Sequence, residues 1–125
     1  MRILGFSERW EKLNHLEFTT FRFARKDRDW GVGEQVQIVL KPRSKERVIL
    51  GVAEIISKEA RCMARHGSKL TCPHVTEDEA FADGFVPIGI QTALDCMYDW
   101  LFDIHGKRLL EEPMNKLTLR WIERI

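Results

Sequence analysis

Apolar residues follow strand-like patterns over the first half of the chain and again near its end. Four segments carry these patterns: residues 18–23, 35–40, 48–56 and 117–122. The first three are rich in β-branched, aromatic and aliphatic side chains, and the last alternates apolar with polar residues, so all four predict strands. Gly51 inside the longest segment indicates a bulge or bend of the kind that barrels use.

Caps and helical spacing predict three helices between these strands. They cover residues 7–14, 76–84 and 90–104. Ser7 is the candidate N-cap of the first helix. Thr76 and Glu79 have the spacing of a capping box at the second helix, and Gly106 ends the third. Residues 57–75 show no clear period, so no element is predicted there.

The size and composition of the chain are those of a single globular domain. Its 125 residues are 44% hydrophobic and 31% charged, which is typical of a domain that buries its own core. Together with the predicted elements, they indicate one α+β domain over residues 1–125. Its small sheet is expected to be closed or partly closed, because closure protects the strand edges.

The sequence also predicts the cellular location of the protein. No apolar stretch is long enough to cross a membrane, and residues 1–10 lack the apolar core of a signal peptide. Three cysteines, an odd number, argue against a disulfide framework. A cytoplasmic protein without a membrane partner is therefore predicted. No glycine-rich phosphate loop is present, and no cofactor is predicted.

Positive charge is concentrated in one part of the chain, although the formal net charge is only +1. We call this block the basic rim; it consists of Arg22, Arg25, Lys26, Arg28, Lys41, Arg43, Lys45 and Arg47. Guanidinium groups bind phosphate bidentately, and Trp30 among them is a candidate surface on which a base could stack. The rim and Trp30 are therefore candidate nucleic-acid-binding residues. The alternative is that the rim is a solvated surface.

Several motifs occur in an order that points to a known family. They are Thr20 and Arg22 in a strand, Gly33 and Glu34 in a turn, residues 53–55 in the long strand, residues 83–85 after the capped helix, and Trp121 in the last strand. This order resembles the ASCH domain family, a branch of the PUA-like folds, over nearly the whole chain. The resemblance implies a small PUA-like β-barrel of about five strands with two or three helices. It also implies RNA or a nucleotide-like molecule as the ligand.

The resemblance leaves catalysis open. Some small bacterial members of the family are amidohydrolases that act on N-acetylated cytidine with a lysine, a threonine and an acidic residue. The resemblance makes Thr20 and Asp83 the counterparts of the threonine and the acid, but Glu17 occupies the position of the lysine. Glu17 cannot supply an amine, although it could act as a base. Lys12 would supply the amine if the fold brings it to the cleft.

Glu17, Thr20 and Asp83 are thus the candidate catalytic residues, and with Arg22 and Trp30 they form a predicted cleft. An RNA- or nucleotide-binding module, a small amidohydrolase for an N-acylated nucleoside, and a protein-interaction module are the three functions that remain open. The alternative is that these residues have only a structural role, in which Arg22 forms an ion pair with Asp83 or Glu54.

One further set has the residue types of a metal site. It consists of Cys62, His66, Cys72 and His74. Two cysteines and two histidines suit a tetrahedral zinc ion, but their spacing fits none of the common zinc-finger patterns. A buried Cys62 with histidines on a surface loop is the alternative, and no metal is predicted.

Overall fold

The computed structural model describes residues 1–63 and 70–125, and a five-stranded sheet is the centre of this part of the chain. The strands are β1 (Arg2–Phe6), β2 (Glu17–Phe23), β3 (Gln35–Leu40), β4 (Val48–Arg61) and β5 (Met114–Arg124). The helical elements are a 3₁₀ turn (Glu11–Asn14), α1 (Glu77–Asp83), α2 (Ala93–His105) and α3 (Arg108–Glu111). This confirms the predicted α+β class.

The sheet has the order β1-β3-β4-β5-β2. β1 and β3 run parallel, and the other neighbouring strands run antiparallel. No helix in the described part of the chain is long and apolar enough to span a membrane.

Two hydrophobic clusters hold these elements together. The first lies within the sheet and includes Val36, Ile38, Ile55, Leu117 and Leu119, all of them inaccessible to solvent. The second lies between the sheet and the helices and includes Met63, Ala80, Met97, Leu109 and Met114. Because α1 and α2 both pack on this second cluster, their ends are fixed relative to β2.

The two edge strands of the sheet face each other across a gap. The rings of Phe6 on β1 and Phe18 on β2 lie 6.2 Å apart. Arg22 Nη2 donates a 2.7 Å hydrogen bond to the carbonyl oxygen of Gly5 and so joins β2 to β1 through a side chain. Within the described residues no backbone ladder joins β1 to β2, so the sheet is a curled half-barrel. The prediction of a partly closed sheet is confirmed.

Gly51 marks a bulge in β4, as the sequence predicts. Ile38 is opposite Gly51 and Val39 is opposite Ile49, so Leu50 is the extra residue. Gly51 has φ +148°, a region that suits glycine, and a Cβ there would lie 2.0 Å from the carbonyl oxygen of Glu123. The missing side chain therefore lets β5 approach β4 closely.

Other element predictions agree with the structure to different degrees. β3 covers the predicted residues 35–40. The capping box at α1 is present in both directions, since Glu79 N donates to Thr76 Oγ1 and Thr76 N donates to Glu79 Oε1. Gly84 forms the C-cap of α1, and Gly106 forms the C-cap of α2.

Several predictions about the elements are wrong or incomplete: β5 begins at Met114 and not at residue 117, and β1 was not predicted as a strand. The helix predicted over residues 7–14 is only the 3₁₀ turn, whose N-cap position is Trp10 and not Ser7. α2 begins at Ala93 because Thr92 and Asp95 form a capping box there, which leaves Ile90 fully exposed before the helix. β4 continues five residues beyond Ile56, to Arg61, and the single turn of α3 was not predicted.

Candidate functional site

A cleft of about 290 Å³ opens between the ends of β1 and β2, the 3₁₀ turn, α1 and α2. Its polar lining includes Lys12, Thr20, Arg22, Asp83 and His105. The structure thus brings three predicted cleft residues, Thr20, Arg22 and Asp83, into one cavity. It also places there the amine of Lys12, which the motif alignment left outside.

Lys12 and Asp83 form a buried ion pair in this cleft. Lys12 Nζ lies 2.7 Å from Asp83 Oδ1, and the two side chains are only 7% and 11% exposed. Burial lowers the pKa of Lys12, and the attraction of Asp83 opposes that shift. Burial raises the pKa of Asp83, opposed by Lys12 and Arg22. The pair therefore places an amine and a carboxylate, both perturbed by desolvation, at the wall of a cavity.

The local sequence explains how the two partners meet. Asp83 is the last residue of α1, and the following Gly84 has φ +121° and packs its Cα against the ring of Trp10. A Cβ at Gly84 would lie 2.6 Å from that ring. Trp10 immediately precedes the 3₁₀ turn that carries Lys12. The close contact between Gly84 and Trp10 therefore sets the distance between α1 and the turn.

Arg22 lies beside this pair, but it does not form the structural ion pair with Asp83 or Glu54 that was the alternative prediction. Its Nε donates to Thr20 Oγ1 at 3.1 Å, and its Nη2 donates to the carbonyl oxygen of Gly5 at 2.7 Å. Its guanidinium lies 4.9 Å from the centre of the Phe6 ring. Burial lowers the pKa of Arg22 to about 10, while the nearby Asp83 charge opposes that shift. Asp83 pairs with Lys12 and not with Arg22.

Aromatic rings form the apolar wall of the cleft. The rings of Trp10 and Phe85 are 5.3 Å apart, and those of Trp10 and Trp100 are 5.5 Å apart. Phe85, Trp100 and His105 have no sequence signal of a binding site, because only the packing of α1 and α2 against the sheet brings them to the cleft. A cavity lined by aromatic rings and a few converging polar groups suits a planar, polar ligand.

A second, more open cavity of about 600 Å³ adjoins the cleft. We call it the basic groove, because its lining includes Arg22, Arg25, Lys26 and Arg108 against a single acidic residue, Asp27. Arg22, Phe23 and His105 line both the cleft and the groove. The two cavities therefore adjoin along these residues, and together we call them the recess.

His105 and Phe23 form the boundary between the cleft and the groove. The imidazole of His105 meets the Phe23 ring edge-on at 4.8 Å, and the guanidinium of Arg108 lies 4.2 Å from the centre of the same ring. Burial lowers the pKa of His105, and the charges of Arg108 and Arg22 lower it further. His105 therefore lies close to two positively charged groups, Arg22 and Arg108.

Other residues of the basic rim lie on the hairpin between β3 and β4. Arg43 and Lys45 are exposed there, and Lys41 is paired with Glu46 at 2.7 Å. The backbone N–H of Lys41 donates to the carbonyl oxygen of Phe6, a residue that lines the cleft. The hairpin therefore stands beside the mouth of the cleft.

Trp30 and Glu17 do not line the cleft, and Arg28 of the basic rim, like Arg25 and Lys41, is paired with a carboxylate. Trp30 is buried beneath Arg2 and Arg25, with the Arg2 guanidinium 4.4 Å from its ring centre, so its face is not free to stack a base. Glu17 is exposed and lines a separate cavity, which Lys12 also borders. Arg28 is exposed and lies 3.5 Å from Glu34.

The candidate zinc set is only partly visible. His66 lies outside the described residues. Cys62 is buried, its thiol donates to the carbonyl oxygen of Cys72 at 3.1 Å, and its backbone forms a bridge to His74. Burial raises the pKa of the Cys62 thiol to about 11, with Cys72 adding to the shift. Among the residues that the structure describes, no three ligand-type side chains are grouped around a common point suited to a metal.

Comparison with known proteins does not assign a family. No family model, no curated protein and no solved structure matches this chain. The function must therefore be argued from the recess itself. Its cleft can hold a flat polar ring against aromatic side chains, and its groove can hold an anionic group.

Proposed function

We propose that this chain is a cytoplasmic PUA-like domain of the ASCH type that binds RNA or a nucleotide. The base lies in the cleft, and the phosphates lie in the basic groove and along the exposed rim. The observation that carries this proposal is that the cleft and the groove adjoin and share Arg22 and His105 in their lining. A nucleotide needs an apolar slot next to a cationic surface, and the recess provides both.

The cleft suits a base because it is lined both by aromatic rings and by hydrogen-bonding side chains. Trp10, Phe85 and Trp100 supply ring faces and edges, and stacking a base on such a side chain contributes about 1–3 kcal/mol. Thr20, Arg22 and the Lys12–Asp83 pair supply donors and acceptors in the same cleft. Hydrogen bonds to these groups would orient a base that the aromatic wall alone could not.

The charge distribution supports phosphate binding outside the cleft. Glu112 pairs with Arg108 of the groove, but other acidic residues of the second half of the chain have partners elsewhere. Glu79 pairs with Arg61 and Lys116, and Glu77 accepts hydrogen bonds from the first backbone N–H groups of α2. The groove and the hairpin therefore keep an excess of positive charge.

Titration of short RNA by fluorescence anisotropy tests this proposal. We expect affinity for single-stranded RNA to fall steeply between about 50 and 200 mM salt, because phosphate contacts release counterions. R25A, in the groove, and R43A, on the hairpin, should each weaken binding and reduce the salt slope by about 1. R120A is the matched control, since Arg120 is exposed on β5 and lines neither cavity. Binding that is independent of salt and of both arginines would contradict the proposal.

One observation also favours a second function, a small amidohydrolase for an N-acylated nucleoside. The Lys12 amine, which the motif alignment had replaced by Glu17, lies in the same cleft as Thr20 and Asp83. In this scheme the neutral amine of Lys12 takes a proton from a water molecule whose oxygen attacks the acyl carbon. Thr20 donates a hydrogen bond to the acyl oxygen, the bond from nitrogen to acyl carbon breaks, and Lys12 returns the proton to the leaving nitrogen.

Chromatography of N-acetylated nucleosides after incubation with the protein tests this second function. Activity should be lost in K12A, T20A and D83N, whereas R25A and R43A should retain it. The rate should rise with pH through the lowered pKa of Lys12, because only the neutral amine accepts a proton. If the wild-type protein releases no acetate from any of the acetylated nucleosides, the recess only binds its ligand.

A further inference from the structure

The Arg22 side chain is a desolvated cation without a direct counter-ion. Its hydrogen bonds go to a hydroxyl and a backbone carbonyl, which are neutral acceptors. In residues 1–63 and 70–125, no carboxylate oxygen lies within the 4.0 Å of an ion pair with it. A desolvated charge is costly unless it is paired, and Asp83, the carboxylate whose charge acts on Arg22, is hydrogen-bonded to Lys12. Arg22 can therefore accept an anionic partner from outside the chain.

The position of Arg22 limits what that partner can be. Arg22 lines both the aromatic cleft and the basic groove, so an anion bound to it lies where the two cavities meet. A ligand whose ring fills the cleft would place its anionic substituent at this boundary. The substituent would then face the groove, where Lys26 and Arg108 provide further positive charge.

The charges around the groove match a doubly charged anion. Arg25 and Arg108 each have their own carboxylate, Asp27 and Glu112 respectively. Arg22 and Lys26 have no such partner among the described residues. Two uncompensated cations balance a phosphate monoester, which carries about −1.5 to −2 at neutral pH, better than the single charge of a phosphodiester.

We propose that the recess binds the phosphate monoester of a nucleotide, with the phosphate on Arg22 and the base in the cleft. This rests on the proposed nucleotide-binding function and narrows it. The ligand is a phosphorylated nucleoside, either free or at the end of an RNA strand, and not an unphosphorylated nucleoside. Arg22 acts as the anion-binding residue, and Lys26 and Arg108 assist it from the groove.

Isothermal titration calorimetry of the full chain tests this proposal. The probes are the four ribonucleosides, their 5′- and 3′-monophosphates and inorganic phosphate. We expect at least one monophosphate to bind about 10-fold or more tightly than its nucleoside, as a charge-assisted hydrogen bond gives. In R22Q the ratio of the nucleoside Kd to the monophosphate Kd should fall to about 1. R120Q removes an exposed positive charge away from both cavities and should leave this ratio unchanged.

A second pair of variants keeps the test valid if R22Q does not fold. Lys26 and Arg108 are exposed, so K26Q and R108Q should fold, as circular dichroism would check, and each should reduce the ratio. A wild-type protein that binds nucleosides as tightly as monophosphates, or binds none of the probes, would overturn the proposal.

RNA oligonucleotides with and without a 5′ or 3′ terminal phosphate separate this inference from the proposed function. Tighter binding of the phosphorylated strands identifies an RNA end as the source of the phosphate. Tight binding of monophosphates alone identifies a free nucleotide, which keeps the inference and rejects RNA binding. Strands that bind with steep salt dependence but equally with and without a terminal phosphate would keep RNA binding and reject the inference.

Discussion

Asp83→Ala is expected to lower the free energy of unfolding by about 3–5 kcal/mol, because it leaves the Lys12 ammonium buried without its partner. The two side chains meet at 2.7 Å with almost no exposure to solvent, so the water that reaches Lys12 through the cleft replaces the lost carboxylate only in small part. Urea denaturation monitored by tryptophan fluorescence would measure the change. The double variant K12M/D83L should recover most of the loss, since it removes both charges and fills a similar volume.

The surface of the same protein offers a matched control for this experiment. Lys41 and Glu46 also approach to 2.7 Å, but both are exposed on the hairpin. Glu46→Ala should leave the urea midpoint unchanged within measurement error, because solvent screens an exposed pair. If D83A and E46A had equal effects, the Lys12–Asp83 pair would have to be solvated, and its proposed place in the cleft wall would be wrong.

Gly51→Ala is expected to cost about 3 kcal/mol or more, or to prevent folding. The new Cβ would lie 2.0 Å from the carbonyl oxygen of Glu123. Because that oxygen belongs to the backbone, the clash can be relieved only if β5 moves. The φ of +148° adds strain of about 1–2 kcal/mol. Thermal denaturation of G51A beside the wild type would show the loss as a lower midpoint.

Two other glycines separate the contributions of strain and close contact. Gly33 has φ +89° but open space around a Cβ, so G33A should show only the strain, about 1–2 kcal/mol. Gly31 has neither a positive φ nor a neighbour within 4 Å, so G31A should be close to neutral. Equal losses of stability in G51A and G33A would mean that β5 can shift at the bulge at little energetic cost.

Local signals in the sequence were sufficient for most of the sheet and for α1. Residues 35–40 predict β3 because their side chains suit a buried strand, and Thr76 with Glu79 marks the start of α1 through local hydrogen bonds. The same kind of signal was present but overlooked at Thr92 and Asp95, which set the start of α2. Ile90 extended the apolar pattern although it is fully exposed. Hydrophobicity alone was therefore misleading there.

Other elements could not be predicted because their stability comes from distant partners. The polar end of β4, from Ser57 to Arg61, is a strand because it pairs along β5, which lies far away in the sequence. α3 is a single turn whose N-cap makes no side-chain hydrogen bond, so it leaves no local signature. Neither segment has a hydrophobic periodicity of its own that would predict it.

The site shows the same division between local and distant information. Thr20, Arg22 and Asp83 were grouped only through the resemblance to a family, and the structure places them in one cleft. The sequence could not show that Lys12 is buried, because its partner Asp83 is far along the chain and a lysine is normally exposed. Nor could it show that Trp30 is covered by Arg2 and Arg25.

The position of β5 has a consequence for the synthesis of this protein. β5 follows the other four described strands in the chain, yet it lies between β4 and β2 and supplies the backbone partners of both. Until residues 114–124 have left the ribosome, β2 has no strand to pair with, and one edge of β4 stays open. Exposed strand edges promote aggregation, so the nascent chain is expected to depend on chaperones and to complete its sheet only after translation has passed β5.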